Sequence, residues 1–149
     1  LAKSLKLSYD TVASGFYFNG KNKNRKPKSR GRMGFNMKEE NIRIVESYIE
    51  AIGRRDLSFE MLAEDVYFED PMTVKSRGAD NLRAFLTGFL PAIESVKIIE
   101  HITEGDLVAT HWEIDGVFGA VPILQKFRIR DGKIVEAIAF FDPRPILGN

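Results

Sequence analysis

Cysteine is absent from this chain of 149 residues, which excludes disulfide bonds, thiolate catalysis and thiolate metal sites. Long apolar runs are missing too, because no stretch approaches the ~18 apolar residues that a membrane-spanning helix requires. The amino terminus does not show the charged start, apolar core and cleavage site of a signal peptide. From these absences we expect a cytoplasmic protein.

Motifs for cofactor chemistry are also missing. No glycine-rich phosphate loop leads from a predicted strand into a helix, and no serine lies in a nucleophile elbow, so we expect no nucleotide cofactor and no acyl-enzyme chemistry. The two histidines, His101 and His111, lie with Glu113 on neighbouring predicted strands. Because no third ligand stands at a recognised spacing, we expect no metal site.

Charge is distributed unevenly, although the net charge is only +1. Residues 1–36 contain nine basic side chains against the single acid Asp10, whereas residues 37–149 contain thirteen basic and twenty acidic side chains. We interpret residues 1–36 as a basic flexible tail or an extension added by cloning, and residues 37–149 as one domain with a single core. Only the tail, where Phe16 to Phe18 precede the basic cluster, has the composition to contact nucleic acid.

Apolar periodicity predicts helices first and strands afterwards. A capping-box pattern at Asn36 and Glu39 introduces the first helix, and Asp56 or Ser58 can cap the second. The helices are predicted at 37–54, at about 58–62 and between Gly78 and Pro91, and the strands at 66–70, 95–103, 106–117, 120–130 and 133–142. This order predicts an α+β domain, with three helices packed on one face of a strongly bent, mostly antiparallel sheet.

Three polar side chains fall on apolar faces of these elements. Gln125 lies in the middle of an apolar strand face, Asp70 shares a face with apolar neighbours, and Tyr48 lies on the apolar stripe of the first helix. An unpaired buried polar group costs ~1–3 kcal/mol, so each requires a partner. These partners can belong to a ligand. The residues alone also allow Gln125 to be hydrogen-bonded to backbone, Asp70 to cap the turn at Pro71, and Tyr48 to be an ordinary core tyrosine.

Three stretches resemble the ketosteroid isomerases, which lie within the SnoaL-like and nuclear transport factor 2-like superfamily. They are SYIEAIGRRD at 47–56, LAEDVYFEDP at 62–71 and KFRIRDGKIV at 126–135. The likeness covers residues 37–142. It implies a cone-shaped α+β barrel of the cystatin-like type around a hydrophobic pocket, and pairing of two chains into a homodimer.

The resemblance also implies roles for the polar residues. The family's general base is the Asp of a Glu-Asp-Pro run, which falls on Asp70. Its first oxyanion donor is a tyrosine on the first helix, eight residues before an aspartate, as Tyr48 stands before Asp56. A protonated aspartate is its second donor, and Gln125 takes that position here; an amide donates without a pKa shift, but more weakly.

The resemblance therefore implies a pocket enzyme that abstracts a proton next to a carbonyl group of a small hydrophobic substrate. Isomerase, dehydratase and cyclase reactions all begin this way, and the expected catalytic residues are Asp70, Tyr48 and Gln125. A non-catalytic binding domain, for a small apolar ligand or a protein partner, is the alternative on the same fold. The residues expected to line the pocket are Val66, Phe68, Phe85, Trp112, Ile123 and Phe127.

Overall fold

The computed structural model describes residues 31–72 and 75–148, with side chains from residue 36 onward. Its elements are α1 (Gly31–Gly53), β1 (Leu62–Glu69), β2 (Ser76–Arg77), α2 (Ala79–Phe89), a 3₁₀ turn (Leu90–Ala92), β3 (Ile93–Glu104), β4 (Leu107–Gly116), β5 (Val121–Arg130), β6 (Lys133–Phe140) and α3 (Arg144–Leu147). Most of the predicted tail, with Phe16 to Phe18, lies outside the described residues. None of the described helices is both long and apolar enough to cross a membrane.

The strands form one six-stranded sheet in the order β2-β1-β6-β5-β4-β3. Strands β3 to β6 are an antiparallel meander, as predicted from the turns at 104–106, 116–119 and 131–132. Strand β1 instead runs parallel to β6, so the sheet is mixed. This parallel pairing brings the end of β1, where Asp70 follows, to the same part of the sheet as Gln125 on β5.

Both long helices pack on one face of the sheet, α1 against β3, β4 and β6, and α2 against β1. Burial alternates residue by residue along β4 and β5, as expected for strands with one face toward the core and the other toward solvent. The core under the helices is aliphatic and aromatic, and its fully buried members include Val45, Ile49, Val66, Phe127 and Ile134. The α+β prediction is confirmed, while the strong bend of the sheet stays a prediction.

The predicted start of the first helix is wrong. Helix α1 begins at Gly31, not at Met37, and Asn36 lies inside it with an exposed side chain. No proline interrupts residues 31–53, so nothing in the backbone stops the helix before the proposed cap. The amphipathic stripe itself is as predicted, with Val45, Tyr48 and Ile49 buried.

The predicted short helix at 58–62 does not form. The Asp56 carboxylate accepts a hydrogen bond from the Ser58 N–H at 3.0 Å and so stabilises a turn instead. Phe59 has a φ of 42°, which a helix does not accommodate, and its ring packs against Tyr48 with centroids 5.1 Å apart. The third helix of the fold is α3 near the carboxyl end, where the sequence offered no long periodic signal.

Candidate functional site

A cavity lies between the two long helices and the inner face of the sheet. Its volume is about 80 Å³, and ~10–15 Å³ of such volume holds one water molecule, so it accommodates a small ligand. The lining is mainly apolar, and its aromatic members are Tyr48, Phe68, Phe85, Phe89, Trp112, Phe118 and Phe141. The polar side chains in this wall are therefore the ones that can orient a ligand.

Tyr48 enters the cavity wall from α1. Its ring is held between Phe59 and the edge of Phe127, whose centroid is 5.5 Å away. Burial raises the pKa of the Tyr48 hydroxyl far above its ordinary value, a hydrogen bond with Gln125 opposes this rise, and the charge of Asp70 adds to it. The hydroxyl therefore stays protonated at neutral pH and is electrostatically coupled to both other predicted residues.

Gln125 reaches the cavity from β5, where it pairs with Thr110 of β4 and Ala139 of β6. Its side chain is buried, and the amide lowers the pKa of Tyr48 because an N–H donated to the phenol oxygen favours the charged form. A hydroxyl that accepts this bond keeps its own proton for another acceptor. The Gln125 Oε1 has no hydrogen-bond partner among the residues that the structure describes.

Asp70 follows directly after β1 and is partly buried in the cavity wall. Its Oδ1 accepts a hydrogen bond from the Met72 N–H at 2.6 Å, so the turn-capping role that the sequence left open is present. The same carboxylate lies close enough to Tyr48 to raise the pKa of its hydroxyl. The turn thus holds the Asp70 carboxylate in place beside the cavity.

The structure brings Tyr48, Asp70 and Gln125 to one cavity, together with the predicted lining residues Phe68, Phe85, Trp112 and Ile123. Two predicted lining residues lie elsewhere. Val66 and Phe127 are fully buried in the core and do not line the cavity. Strand alternation shows which face a side chain is on, but not how far along the strand a cavity extends.

Several lining residues were missed from the sequence. Phe89 continues the apolar stripe of α2 and could have been found from its spacing. Phe118 lies in the turn between β4 and β5, and Ile146 lies in the short helix α3, where no periodic pattern points inward. Met72 and Glu69 flank Asp70 in the wall and carried no separate signal.

The histidines lie apart from this cavity wall. The His101 Nδ1 is 2.9 Å from the Thr110 hydroxyl, and its Nε2 is 3.4 Å from a carboxylate oxygen of Glu46. The Nδ1 of His111 is 3.7 Å from Glu100. In residues 31–72 and 75–148, no group of three or more acidic or histidine side chains is arranged to hold a metal ion.

Solved structures with this fold include proteins named for enzymes of the type that the sequence suggested. A candidate SnoaL-like polyketide cyclase from Jannaschia sp. CCS1 matches with a TM-score of 0.65 and 16% identity, over 73% of this chain and 90% of that chain. A candidate ketosteroid isomerase from Kribbella flavida DSM 17836 matches with a TM-score of 0.63 and 17% identity, over 70% of this chain and 78% of that chain.

A nuclear transport factor 2-like protein of unknown function from Cytophaga hutchinsonii ATCC 33406 matches with a TM-score of 0.63 and 18% identity, over 72% of this chain and 94% of that chain. At these identities the likeness establishes the fold alone. It confirms the predicted α+β fold of the nuclear transport factor 2-like class, which is also called cystatin-like.

No curated protein shows significant similarity to this chain. The family model of the SnoaL-like domain matches residues 45–137, which is more than half of the chain. The matched range contains Tyr48, Asp70 and Gln125, and it confirms the resemblance that the three sequence stretches indicated. The chain therefore belongs to the family of SnoaL-like domains.

Proposed function

We propose that this domain is an enzyme that removes a proton next to the carbonyl group of a small hydrophobic substrate. Asp70 acts as the general base, and Tyr48 and Gln125 act as donors to the oxyanion that forms. One observation carries the proposal: these three side chains line the same apolar cavity, and Tyr48 is coupled to the other two.

Tyr48 is suited to stabilise an enolate oxygen. Removing a proton beside a carbonyl group shifts negative charge onto its oxygen, and a fixed donor in a water-poor cavity lowers the energy of that charge. Tyr48 has its donor proton at neutral pH, because a phenol keeps it even at the ordinary pKa of 10.0 and burial raises that pKa further. Gln125 supports this role by donating one N–H to the phenol oxygen, which leaves its second N–H for the substrate.

Asp70 is suited to act as the base. A general base must be held within hydrogen-bonding reach of the proton that it removes. The Met72 N–H fixes the orientation of the carboxylate, and Phe68 and Phe85 form the apolar wall beside it, with ring centroids 6.3 Å apart. An apolar substrate packed against these rings shares one cavity with the carboxylate.

The reaction class follows from this arrangement. Isomerisation, elimination and cyclisation beside a carbonyl group all start with the same proton transfer, so one base and its oxyanion donors serve each of them. The names of the two neighbours, a polyketide cyclase and a ketosteroid isomerase, support this class. The cavity volume of about 80 Å³ favours a small substrate.

The proposal is tested by solvent exchange in deuterated buffer. The protein is mixed with 2-butanone, a small ketone, and loss of the α-proton signals is followed by proton NMR. We expect wild-type protein to catalyse exchange and Asp70→Asn to slow it about 10²-fold or more, because the base is lost. Asp65→Asn is the matched control, since Asp65 lies on β1, the strand that Asp70 follows, but outside this cavity.

The alternative, a non-catalytic binding domain, gives a different result. It binds the ketone without exchange of its α-protons, and Asp70→Asn then changes affinity alone. Exchange that continues at the wild-type rate in Asp70→Asn contradicts the proposed role of Asp70.

A further inference from the structure

We propose that the ligand of this cavity carries a hydroxyl group in addition to its carbonyl group, and that Trp112 and Gln125 bind this hydroxyl between them. The inference rests on the proposed function for the carbonyl end of the ligand, next to Tyr48 and Asp70. It adds a specificity-determining residue, Trp112, and names the substrate class as hydroxy ketones.

Two buried polar atoms in the cavity wall have no hydrogen-bond partner among the residues that the structure describes. Trp112 and Gln125 are 4% and 6% exposed, respectively, and both line the cavity. Within the described part of the chain, neither the indole Nε1 of Trp112 nor the Oε1 of Gln125 has a hydrogen-bond partner. Buried polar groups are nearly always paired, so atoms left open in a cavity wall indicate what a ligand supplies.

The two atoms are chemically complementary. The indole Nε1 only donates and the amide Oε1 only accepts, yet they do not bond to each other. A hydroxyl group is one donor with two acceptor lone pairs, so one hydroxyl can accept from Trp112 and donate to Gln125. A ketone or ether oxygen can satisfy Trp112 alone, and leaves the Gln125 oxygen without a donor.

The sheet register places the two side chains near each other. Trp112 of β4 pairs with Ile123 of β5, and Gln125 lies two residues further along β5 on the same face. Such diagonal neighbours are about 7–8 Å apart at their backbones, and long side chains bridge that distance. A single ligand group between them is therefore within reach of both.

Tyr48 fixes the orientation of the Gln125 amide. An N–H of Gln125 that donates to the phenol oxygen accounts for the lowering of the Tyr48 pKa by Gln125, and it agrees with an Oε1 that has no hydrogen-bond partner among the described residues. With the amide reversed, Tyr48 would have to donate its proton to Gln125 and could not donate it to an oxyanion. The role of Tyr48 and the open acceptor on Gln125 thus require the same amide orientation.

The contact between Tyr48 and Gln125 also restricts the ligand. Because both side chains line one cavity of about 80 Å³, two ligand oxygens that reach them lie close together. A β-hydroxy ketone, with its oxygens on alternate carbons, has this spacing. Its hydroxyl replaces the hydrogen bonds that a water molecule at the same place would make, so burying it costs little.

The test compares 2-butanone with its β-hydroxy derivative, 4-hydroxy-2-butanone, by isothermal titration calorimetry on the full chain. We expect the hydroxy ketone to bind about tenfold more tightly to the wild-type protein, because it pairs two buried groups that the plain ketone leaves open. In Trp112→Phe, which keeps an aromatic ring and loses the N–H, the preference should fall to about threefold or less. Phe89→Leu is the control: it reshapes the same wall without a polar atom and should keep the preference.

The outcomes separate this inference from the proposed function. Equal affinity of the wild-type protein for the two compounds, or binding of neither, overturns the hydroxyl site whatever the exchange assay shows. A preference that survives in Trp112→Phe overturns the role of Trp112. A preference that is lost in Trp112→Phe, in a protein without Asp70-dependent exchange, supports the hydroxyl site while the proposed catalysis fails.

Discussion

The position of Tyr48 on its helix, rather than the intrinsic acidity of a phenol, determines the properties of its hydroxyl. The same stripe that buries Val45 and Ile49 also buries this hydroxyl, and removal from water raises its pKa. Phe59 and Phe127 hold the ring from two sides, so the hydroxyl has a fixed position. A fixed, neutral donor is what stabilisation of an oxyanion requires.

The raised pKa of Tyr48 predicts alkaline instability. Its ordinary pKa is 10.0 and its folded-state pKa is higher, so its contribution to stability is complete below pH 10.0 and is lost progressively above it. Above that pH the unfolded chain loses the phenol proton more readily than the folded chain does. We expect the melting temperature to fall more between about pH 9 and about pH 11 in wild-type protein than in Tyr48→Phe.

Thermal unfolding followed by circular dichroism at the two pH values provides this comparison. Phe89→Leu is a suitable control, because it changes the same cavity wall and neither side chain titrates. Identical alkaline losses in wild-type protein and Tyr48→Phe would show that Tyr48 ionises as easily in the folded chain as in the unfolded one.

The residues of the candidate site were predicted better than their contacts. The polar residues stood out because they interrupt apolar patterns, and the resemblance assigned roles to them. The sequence could not decide whether Asp70 caps a turn or lines a pocket. In the structure Asp70 accepts a hydrogen bond within the turn and also lines the cavity. The open atoms of Gln125 and Trp112 depend on the relative placement of α1, β4 and β5, which no local pattern encodes.

At the scale of elements, the surroundings of two glycines predict that alanine substitution lowers the stability of the domain at one position and raises it at the other. A Cβ on Gly116 would lie 2.1 Å from the backbone oxygen of Ala92, where the end of β4 meets the 3₁₀ turn. Gly88 lies within α2 and has nothing within 4 Å of the position that a Cβ would take. The first position cannot accept a side chain without backbone movement, whereas the second can.

We expect Gly116→Ala to destabilise the domain by about 2 kcal/mol or more, because the added methyl group collides with backbone. Gly88→Ala should stabilise it by about 0.5–1 kcal/mol, because alanine has less backbone entropy to lose in a helix. Urea unfolding curves of the two variants and the wild-type protein measure both changes. A neutral Gly116→Ala would show that the contact with Ala92 is looser than described.

Element prediction succeeded where local pattern and burial agree. Strands β4 and β5 alternate strictly in burial, and turns with glycine separate the strands from β3 to β6. It failed at 58–62, where the tertiary contact of Phe59 with Tyr48 fixes a backbone conformation that no helix contains. Strand β2 has only two residues, and its pairing with β1 leaves no periodic signal.

For the whole molecule, the homodimer implied by the resemblance stays a prediction, and the outer face of the sheet offers a surface for it. Leu124 and Phe140 pair across β5 and β6, and both are about half exposed. The nearby cations Lys126 and Arg128 are paired with Glu136 and Asp106 at 3.2 and 2.8 Å. Pairing of these charges lowers the cost of covering this face.

If the predicted dimer forms through this face, we expect Phe140→Glu to give monomers, because the new carboxylate would be buried without a partner at the interface. Val117→Glu is the control, since Val117 is also an exposed apolar residue but lies in the turn after β4. Size-exclusion chromatography with light scattering measures the mass of each. Wild-type protein that is monomeric at high concentration would contradict the prediction.

Trp112 is the sole tryptophan of the chain, and it lies in the wall of the cavity. Ultraviolet excitation of the indole therefore reports on this one place without any attached label. Its emission colour and lifetime follow the polarity around the ring, so arrival of a ligand or entry of solvent can be followed in real time. Candidate compounds can therefore be screened by fluorescence alone. The indole that reports binding is part of the cavity wall that a bound compound would contact.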